Sequence, residues 1–192
     1  DYIFLADQDD VWLSGRVQKV REHLDLGNHL VLVNAKIIDK ENNTLQDSFF
    51  EVNRTSHGFW RNLWKNGFLG CCMAFRKEVY PFILPFPRVI PMHDWWIGLS
   101  VLSYRKSYVF VEEPLHAYRK HGNNKTDSGN KSNAPYWLRL KNRVILLLFV
   151  IIRHFQNIIY PNQRAKKHQA ALEGRGILNL NKKRTLPSHK DL

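Results

Sequence analysis

Apolar and polar stretches alternate along the first 40 residues and predict a strand, a helix and a second strand. Residues 2–6 form an unbroken apolar run, typical of a buried strand. The second strand is predicted at residues 30–39. Residues 15–26 predict the helix, with apolar positions at helical spacing at Val17, Val20 and Leu24. This order favours an α/β layer with a parallel sheet.

The remaining pattern predicts further elements. Residues 48–69 are aromatic-rich and irregular. The later segments are a short buried strand running into a helix at 70–79, a helix at 93–105, a strand at 107–115, a polar loop at 116–135, and a long helix at 136–160 followed by a basic tail.

Composition narrows the class of protein. With 192 residues, 44% hydrophobic and 12% aromatic, the chain can build one domain with a core and is not a disordered protein. It opens inside a predicted core strand without an initiator Met, so we expect a fragment that lacks its N-terminal part. The only cysteines, Cys71 and Cys72, are adjacent, which argues against a disulfide framework and favours a reducing compartment.

The net charge of +12 is unevenly distributed. Residues 1–50 carry five basic and nine acidic side chains, whereas residues 101–192 carry 18 basic and five acidic ones. The acidic end is suited to a cation, and the basic end to phosphates of lipid or nucleic acid.

Three carboxylates, Asp7, Asp9 and Asp10, follow the first predicted strand in the sequence DQDD. They would repel one another unless something positive holds them. Because α/β sheets bind ligands beyond the carboxyl ends of strands, a Mg²⁺ or Mn²⁺ site that also meets a diphosphate is one interpretation. A solvated turn that caps the next helix is the alternative.

The sequence HDWW places Asp94 at the start of a predicted helix, between His93 and the rings of Trp95 and Trp96. Apolar surroundings raise the pKa of a carboxylate, which suits a general base. Aromatic faces also suit sugars. The alternative is a helix N-cap with ordinary core packing.

Two more segments are candidates for function. Arg119 and His121, in YRKHGNN, are suited to phosphate oxygens, and His121 also to a metal, although a solvated basic loop has the same composition. In the segment Gly70, Cys71 and Cys72, the glycine would let another chain or a ligand approach the backbone closely; the alternative is a packed strand with buried thiols.

Five segments in one order, "FLADQDDVW", "LVLVNAKIIDKENN", "FLGCCMAFRKEV", "MHDWWIGL" and "YRKHGNN", span residues 4 to 124. Together they resemble the family 2 inverting glycosyltransferases of GT-A fold, closest to the bacterial rhamnosyltransferase-like branch that builds surface polysaccharides. The resemblance implies a GT-A-like mixed sheet flanked by helices. Residues 1–135 would be the C-terminal, metal and acceptor half of that domain, and residues 136–192 a basic helical extension.

The resemblance also implies roles for individual residues. It implies a nucleotide-sugar donor linked to UDP or dTDP, a glycan or lipid-linked acceptor, and Mn²⁺ or Mg²⁺ as cofactor. The missing Gln-x-x-Arg-Trp signature of processive synthases favours single-sugar transfer. The implied residues are Asp94 as catalytic base; Asp7, Arg119 and His121 at the nucleotide-sugar diphosphate; Asp9, Asp7 and His121 at the metal; and Gly70, Cys71, Cys72, His93, Trp95 and Trp96 on the acceptor side.

Two other functions fit parts of the sequence. A haloacid-dehalogenase-type phosphatase would use Asp7 as nucleophile and Asp9 as acid/base, but Glu112-Glu113 is a poor match to its second acidic pair. A non-enzymatic basic module would bind nucleic acid or membrane through residues 119–192. Since no nucleic-acid-binding motif is visible, we expect no nucleic-acid partner.

The long helix at 136–160 holds an apolar run, Val144–Ile152, that is too short to cross a bilayer. Basic residues flank the run, and Trp137 and Tyr160 lie near the helix ends, where aromatic rings favour the membrane interface. A helix buried inside the protein and a helix lying on an anionic membrane both fit. The second predicts a cytoplasmic enzyme peripheral to the inner face of the plasma membrane.

Overall fold

The computed structural model describes residues 1–120 and 135–159. Strands and helices alternate through these ranges. In chain order they are β1 (Tyr2–Phe4), β2 (Val11–Trp12), α1 (Arg16–Asp25), β3 (Leu30–Ile38), β4 (Thr44–Gln46), α2 (Phe49–Asn53), α3 (Phe59–Trp64), a 3-10 turn (Gly70–Cys72), β5 (Met73–Arg76), a second 3-10 turn (Lys77–Val79), α4 (Tyr80–Ile83), α5 (His93–Ser103), β6 (Tyr108–Arg119) and α6 (Tyr136–Ile159).

The six strands of the described ranges form one mixed sheet. Five follow the order β1-β5-β3-β6-β2, and β4 pairs with the end of β3. Because β5 runs antiparallel to both β1 and β3, these two strands point the same way with β5 between them. β3 and β6 form a parallel pair. The α/β prediction is confirmed, the sheet is mixed rather than wholly parallel, and the architecture is consistent with part of a GT-A-like domain.

Position in the sheet decides how deeply each strand is buried. Leu30–Val33 of the central β3 are fully buried. The predicted buried strand β1 is only partly buried, because it lies at an edge of the described sheet. Helix α1 turns Arg16, rather than the predicted Val17, toward the interior together with Val20 and Leu24; Val17 is half exposed.

Residues 48–69 were predicted from sequence to be irregular, but they contain the short helices α2 and α3. Polar side chains define these helices more than apolar spacing does. The hydroxyl of Ser48 accepts a hydrogen bond from the Glu51 amide at 3.2 Å and so caps α2. Buried Asn62 donates to the carbonyls of Ser56 and Gly58 and accepts from the Gly67 amide. Such contacts between residues several positions apart leave little periodic signal.

Strand β6 continues to Arg119, four residues beyond its predicted end. Its register against β3 shifts on both sides of Asn34, around Pro114, where a bulge accommodates a proline. The Asn34 amide donates to the Glu112 carbonyl and to the Ser48 hydroxyl, both at 2.9 Å. The segment expected to begin a polar loop is therefore a strand, and it carries His116 into the interior.

By compactness the chain divides into residues 1–154 and residues 155–192. The first part of α6 therefore belongs to the same compact unit as the sheet. The functional division expected at residue 135 stays a prediction.

Candidate active site

The acidic segment lies where the chain passes from one edge of the sheet to the other. β1 and β2 lie at opposite edges, so the residues between them must cross. At the start of the crossing, the Leu5 amide donates to the Met73 carbonyl at 3.0 Å. The crossing brings the carboxylates of Asp7 and Asp10 close to Cys71 in the Gly70–Cys72 turn that precedes β5.

Asp10 is held by the protein itself. Its side chain is 2% exposed. One carboxylate oxygen lies 2.9 Å from Nε2 of His116, and the other accepts from the Arg119 amide at 2.8 Å. Burial alone would raise the pKa of Asp10, but hydrogen bonds from His116, the Arg119 amide and the Cys71 thiol together hold it below its ordinary value. Asp10 is thus a buried, ionised carboxylate with its partners in place.

A buried arginine completes this arrangement. Nη1 of Arg16 contacts Nδ1 of His116, and Nη2 donates to the Cys71 carbonyl. Because a guanidinium only donates, Nδ1 must accept, and the ring hydrogen must be on Nε2, where it donates to Asp10. A neutral imidazole therefore links the positive Arg16 to the negative Asp10, with both Arg16 and His116 fully buried.

Asp7 and Asp9 have a different environment. Asp7 is exposed at residue level and Asp9 is partly buried. Partial burial is the largest cause that raises the pKa of Asp7, and repulsion by the charges of Asp10 and Asp9 raises it further. A hard divalent cation would relieve that repulsion, and carboxylate oxygens are its preferred ligands. The residues present therefore fit Mn²⁺ or Mg²⁺.

The cysteines are less suited to a metal. Ligand atoms of Asp7, Asp10 and Cys71 lie within 4.8 Å of one another, as do those of Cys71, Cys72 and His116. A hydrogen bond with Cys72 and burial raise the pKa of the Cys71 thiol, so it stays protonated. Both ring nitrogens of His116 are already engaged. The carboxylates are the better cation ligands here.

Asp94 is a buried carboxylate near the start of α5, with only 3% of its surface exposed. It is not the N-cap, because Met92 occupies that position. One carboxylate oxygen accepts from the Trp95 amide at 2.6 Å, and the other lies 3.5 Å from the side-chain nitrogen of Asn66. Burial raises the pKa of Asp94, which suits a general base.

The Gly70–Cys72 turn connects the acidic segment with Asp94. A Cβ at Gly70 would lie 2.8 Å from Nε2 of His93 and 3.5 Å from Cβ of Asp94. The next residue, Cys71, reaches Asp10 through its thiol. One turn therefore lies beside both groups of candidate residues, and a side chain at Gly70 would have to displace the His93 ring.

Comparison with known proteins points in the same direction. A curated relative is the dTDP-rhamnosyl transferase RfbG of Shigella flexneri, 23% identical over 154 residues. The match covers 71% of this chain and 48% of that protein, so the chain spans about half the length of the relative. No protein-family model matches. The RfbG match supports a distant relationship to glycosyltransferases.

The structure gives several of the predicted acceptor-side residues a packing role. Trp96 is fully buried, and its indole N–H donates to the Ile83 carbonyl at 2.9 Å. Trp95 donates in the same way to Asn62 at 2.6 Å. Cys71 and Cys72 are each 1% exposed. Residues Asp94–Leu102 of α5 are all buried, whereas His93 at its start is exposed. Trp96 therefore packs in the core here, and an acceptor role for these residues stays a prediction.

The predicted phosphate-binding pair is only partly described. His121 lies outside the described residues. The guanidinium of Arg119 donates to backbone carbonyls of Asp9 and Asp39 and to the side chain of Asn42, each at 2.8 Å. These contacts fasten the acidic segment to the loop after β3, a role for Arg119 that differs from the expected diphosphate contact.

Residues that sequence reasoning missed complete the site. They are His116, Arg16 and Asn66, and the buried, structural role of Asp10 was missed with them. A histidine within the apolar strand β6 and a third carboxylate in DQDD were the available signals. Neither signal indicates which residue is its partner, since Asp10 and His116 are 106 residues apart in sequence.

Proposed function

We propose that the chain forms the metal and acceptor half of an inverting glycosyltransferase, which transfers a sugar from a nucleotide-sugar to a hydroxyl group. The observation that carries this proposal is the Gly70–Cys72 turn, which lies next to the buried base candidate Asp94 and meets the acidic segment at Asp10. A base and a cation-binding segment held together are what such a transfer requires.

Asp94 supplies the base in this proposal. Its carboxylate takes the proton from the acceptor hydroxyl, and the acceptor oxygen forms a bond to the anomeric carbon of the donor. The bond from that carbon to the diphosphate oxygen breaks, and its electron pair leaves with the nucleoside diphosphate. A single displacement of this kind inverts the anomeric centre and needs no covalent enzyme intermediate. The raised pKa of Asp94 makes it a stronger base than an exposed aspartate.

The acidic segment binds the donor side. Asp7 and Asp9 would hold Mn²⁺ or Mg²⁺, which when bound supplies positive charge for the diphosphate. The raised pKa of Asp7, caused by partial burial and then by its acidic neighbours, supports this assignment. Asp10 stays with His116 and fixes the segment that carries the other two carboxylates.

The relative supports the choice of substrates. RfbG carries the name of a dTDP-rhamnosyl transferase. We infer a UDP- or dTDP-linked sugar as the donor, a glycan or lipid-linked oligosaccharide as the acceptor, and surface polysaccharide synthesis as the pathway.

Binding of nucleoside diphosphate tests the donor site. We expect the full-length protein to bind dTDP or UDP more tightly with Mn²⁺, and the difference to disappear with EDTA. Asp9→Asn removes a charge but keeps the backbone carbonyl that accepts from Arg119, so the fold is retained. Isothermal titration calorimetry of the variant should show at least about a tenfold loss of Mn²⁺-dependent affinity, as expected when a hard cation loses a carboxylate ligand.

A matched control is Asp47→Asn, which removes an exposed carboxylate after β4. This variant should bind like the wild type. Equal Mn²⁺-dependent affinity in Asp9→Asn and wild type would remove Asp9 from the cation site. Absence of binding to any nucleoside diphosphate by the wild type would contradict the proposed function.

A further inference from the structure

Helix α6 presents a row of exposed apolar side chains, here named the outer stripe. Among the described residues, α6 is also the helix whose length and composition would allow a membrane crossing. Within residues 1–154 the members of the outer stripe are each 42–64% exposed, and they are Trp137, Leu140, Val144, Leu148, Ile151 and Ile152.

The outer stripe is continuous along one side of the helix. At 100° per residue its six members fall within an arc of about 120°, and they extend over about 23 Å of helix. The buried residues Leu146, Val150 and Arg153 fall on the opposite side. The apolar run predicted from sequence therefore divides into an inward face and an outward face.

The inward face fastens α6 along the domain. Arg153 donates to the backbone carbonyls of Leu84 and Pro85, the second at 2.6 Å from Nη2. Arg143 donates to the Trp64 carbonyl at 2.9 Å and lies 4.3 Å from the centre of that ring. A bilayer crossing would break these contacts, whereas a helix that lies in the plane of a membrane surface keeps them.

Charge identifies the kind of surface. Residues 136–159 contain no Asp or Glu; of their four Lys or Arg, Arg139 and Lys141 are exposed, whereas Arg143 and Arg153 are held by the domain. The sequence that follows, 160–192, adds eight Lys or Arg against two acidic residues. A second copy of this helix would meet it with like charge, whereas anionic lipid offers both the opposite charge and an apolar layer. Exposed Tyr136 and Trp137, at the start of the helix, are residue types that favour the interface.

We propose that the outer stripe docks on an anionic lipid surface, with α6 lying in the plane of the membrane. The apolar side chains enter the boundary between headgroups and acyl chains, and the basic side chains meet the headgroups. The site of sugar transfer is thereby held at a membrane. The binding itself requires no nucleotide-sugar, so it can be tested apart from the proposed catalysis.

Co-sedimentation with vesicles tests this surface. The full-length protein should pellet with vesicles of phosphatidylglycerol and phosphatidylcholine at low salt, and less with pure phosphatidylcholine or at about 0.5 M salt, where charges are screened. The double variant Leu148→Gln, Ile152→Gln removes apolar surface from the stripe without touching the inward face. Its affinity for anionic vesicles should fall at least about tenfold.

A control variant changes exposed apolar residues elsewhere. Leu26→Gln with Leu45→Gln replaces side chains that are 80% and 49% exposed, and it should bind vesicles like the wild type. The proposal would be overturned if both double variants lost the same affinity for anionic vesicles, or if the substitutions in the outer stripe left that affinity unchanged. The proposal would also be overturned if the protein did not bind vesicles and sedimentation velocity showed a dimer that the substitutions at Leu148 and Ile152 disrupt.

Discussion

Three aspartates within four residues occupy three environments, and the differences follow from their neighbours. Asp10 is buried and bonded to His116, Asp9 is partly buried, and Asp7 is exposed. The pKa of Asp10 is lowered, because hydrogen bonds outweigh burial, whereas that of Asp7 is raised by partial burial and by like charges. The same residue type thus serves as a structural anion at one position and a cation ligand candidate at another.

The lowered pKa of Asp10 sets the sign of its contribution to stability. A carboxylate with a depressed pKa in the folded state stabilises the protein at pH values above its unfolded value, near 3.8. That stability is lost as the pH falls through the folded-state pKa. Loss of His116 would remove the strongest hydrogen bond that lowers this pKa, so Asp10 would contribute less stability above pH 3.8.

His116→Phe tests the buried linkage directly. Phenylalanine fills a similar space but leaves the charges of Arg16 and Asp10 buried without the ring between them. We expect a loss of at least about 2 kcal/mol in the free energy of unfolding, because two buried charged groups each lose a hydrogen-bond partner. Urea denaturation followed by circular dichroism measures it, and acid unfolding should begin at higher pH than in the wild type.

An exposed ion pair supplies the control. Lys19 and Glu22 lie 3.9 Å apart with side chains 44% and 51% exposed, so Lys19→Met should cost less than about 1 kcal/mol. If His116→Phe cost no more than Lys19→Met, the linkage would contribute little to stability.

The residue chemistry of the site was only partly predictable from sequence. Carboxylates after a strand and an aspartate among aromatic rings are local patterns, so Asp7, Asp9 and Asp94 were found. The partners that give these residues their pKa values come from distant segments, such as Asn66 for Asp94. Those pairings depend on the fold.

At the scale of elements, α5 is the helix that brings Asp94 to the site, and a glycine determines its packing. Phe68 lies directly against Gly98, and a Cβ at that position would overlap its ring. Phe68 and Gly98 are both buried in the core, where close packing restricts their displacement. Close approach of Phe68 thus depends on the absence of a side chain.

Gly98→Ala should therefore destabilise the protein, although alanine is the better helix former. Overpacking of this kind costs about 1–3 kcal/mol. Thermal or urea unfolding measures the change, with Gln18→Ala on the exposed side of α1 as a control expected within about 0.5 kcal/mol of wild type. A Gly98→Ala variant more stable than wild type would show that Phe68 moves away freely.

Among the elements, those with strong apolar patterns were predicted and those defined by polar contacts were not. Helices α1 and α5 and strand β3 were expected near their observed positions. Helix α2 depends on the Ser48 cap, and the extension of β6 depends on the bulge at Asn34. Polar contacts of that kind carry no periodicity, so the sequence alone did not reveal them.

At the scale of the molecule, residues from distant parts of the chain meet within the compact unit 1–154. The acidic segment, the turn at Gly70–Cys72 and the start of α5 bring the proposed cation site close to Asp94, the proposed base. Helix α6 belongs to the same unit through Arg153 and Arg143. A membrane-bound glycosyltransferase would use both features, one to transfer the sugar and the other to meet a lipid-linked acceptor.

The role of Asp94 also predicts a pH dependence. A base acts only when it is ionised, and burial raises the pKa of Asp94 above its ordinary value of 3.8. Sugar transfer should therefore decline, as the pH is lowered, at a pH above that value. Asp94→Asn preserves the size of the side chain and an oxygen for the Trp95 amide, so the fold and donor binding should survive.

Sugar transfer by the full-length protein and its Asp94→Asn variant is the most direct test. Initial rates would be measured with Mn²⁺, the UDP- or dTDP-linked sugar that the wild type uses, and its acceptor, alongside donor affinity by calorimetry. The account predicts a fall in turnover of about two to four orders of magnitude with donor affinity unchanged. A variant that binds the donor and transfers sugar at the wild-type rate would contradict the assignment of Asp94 as the base.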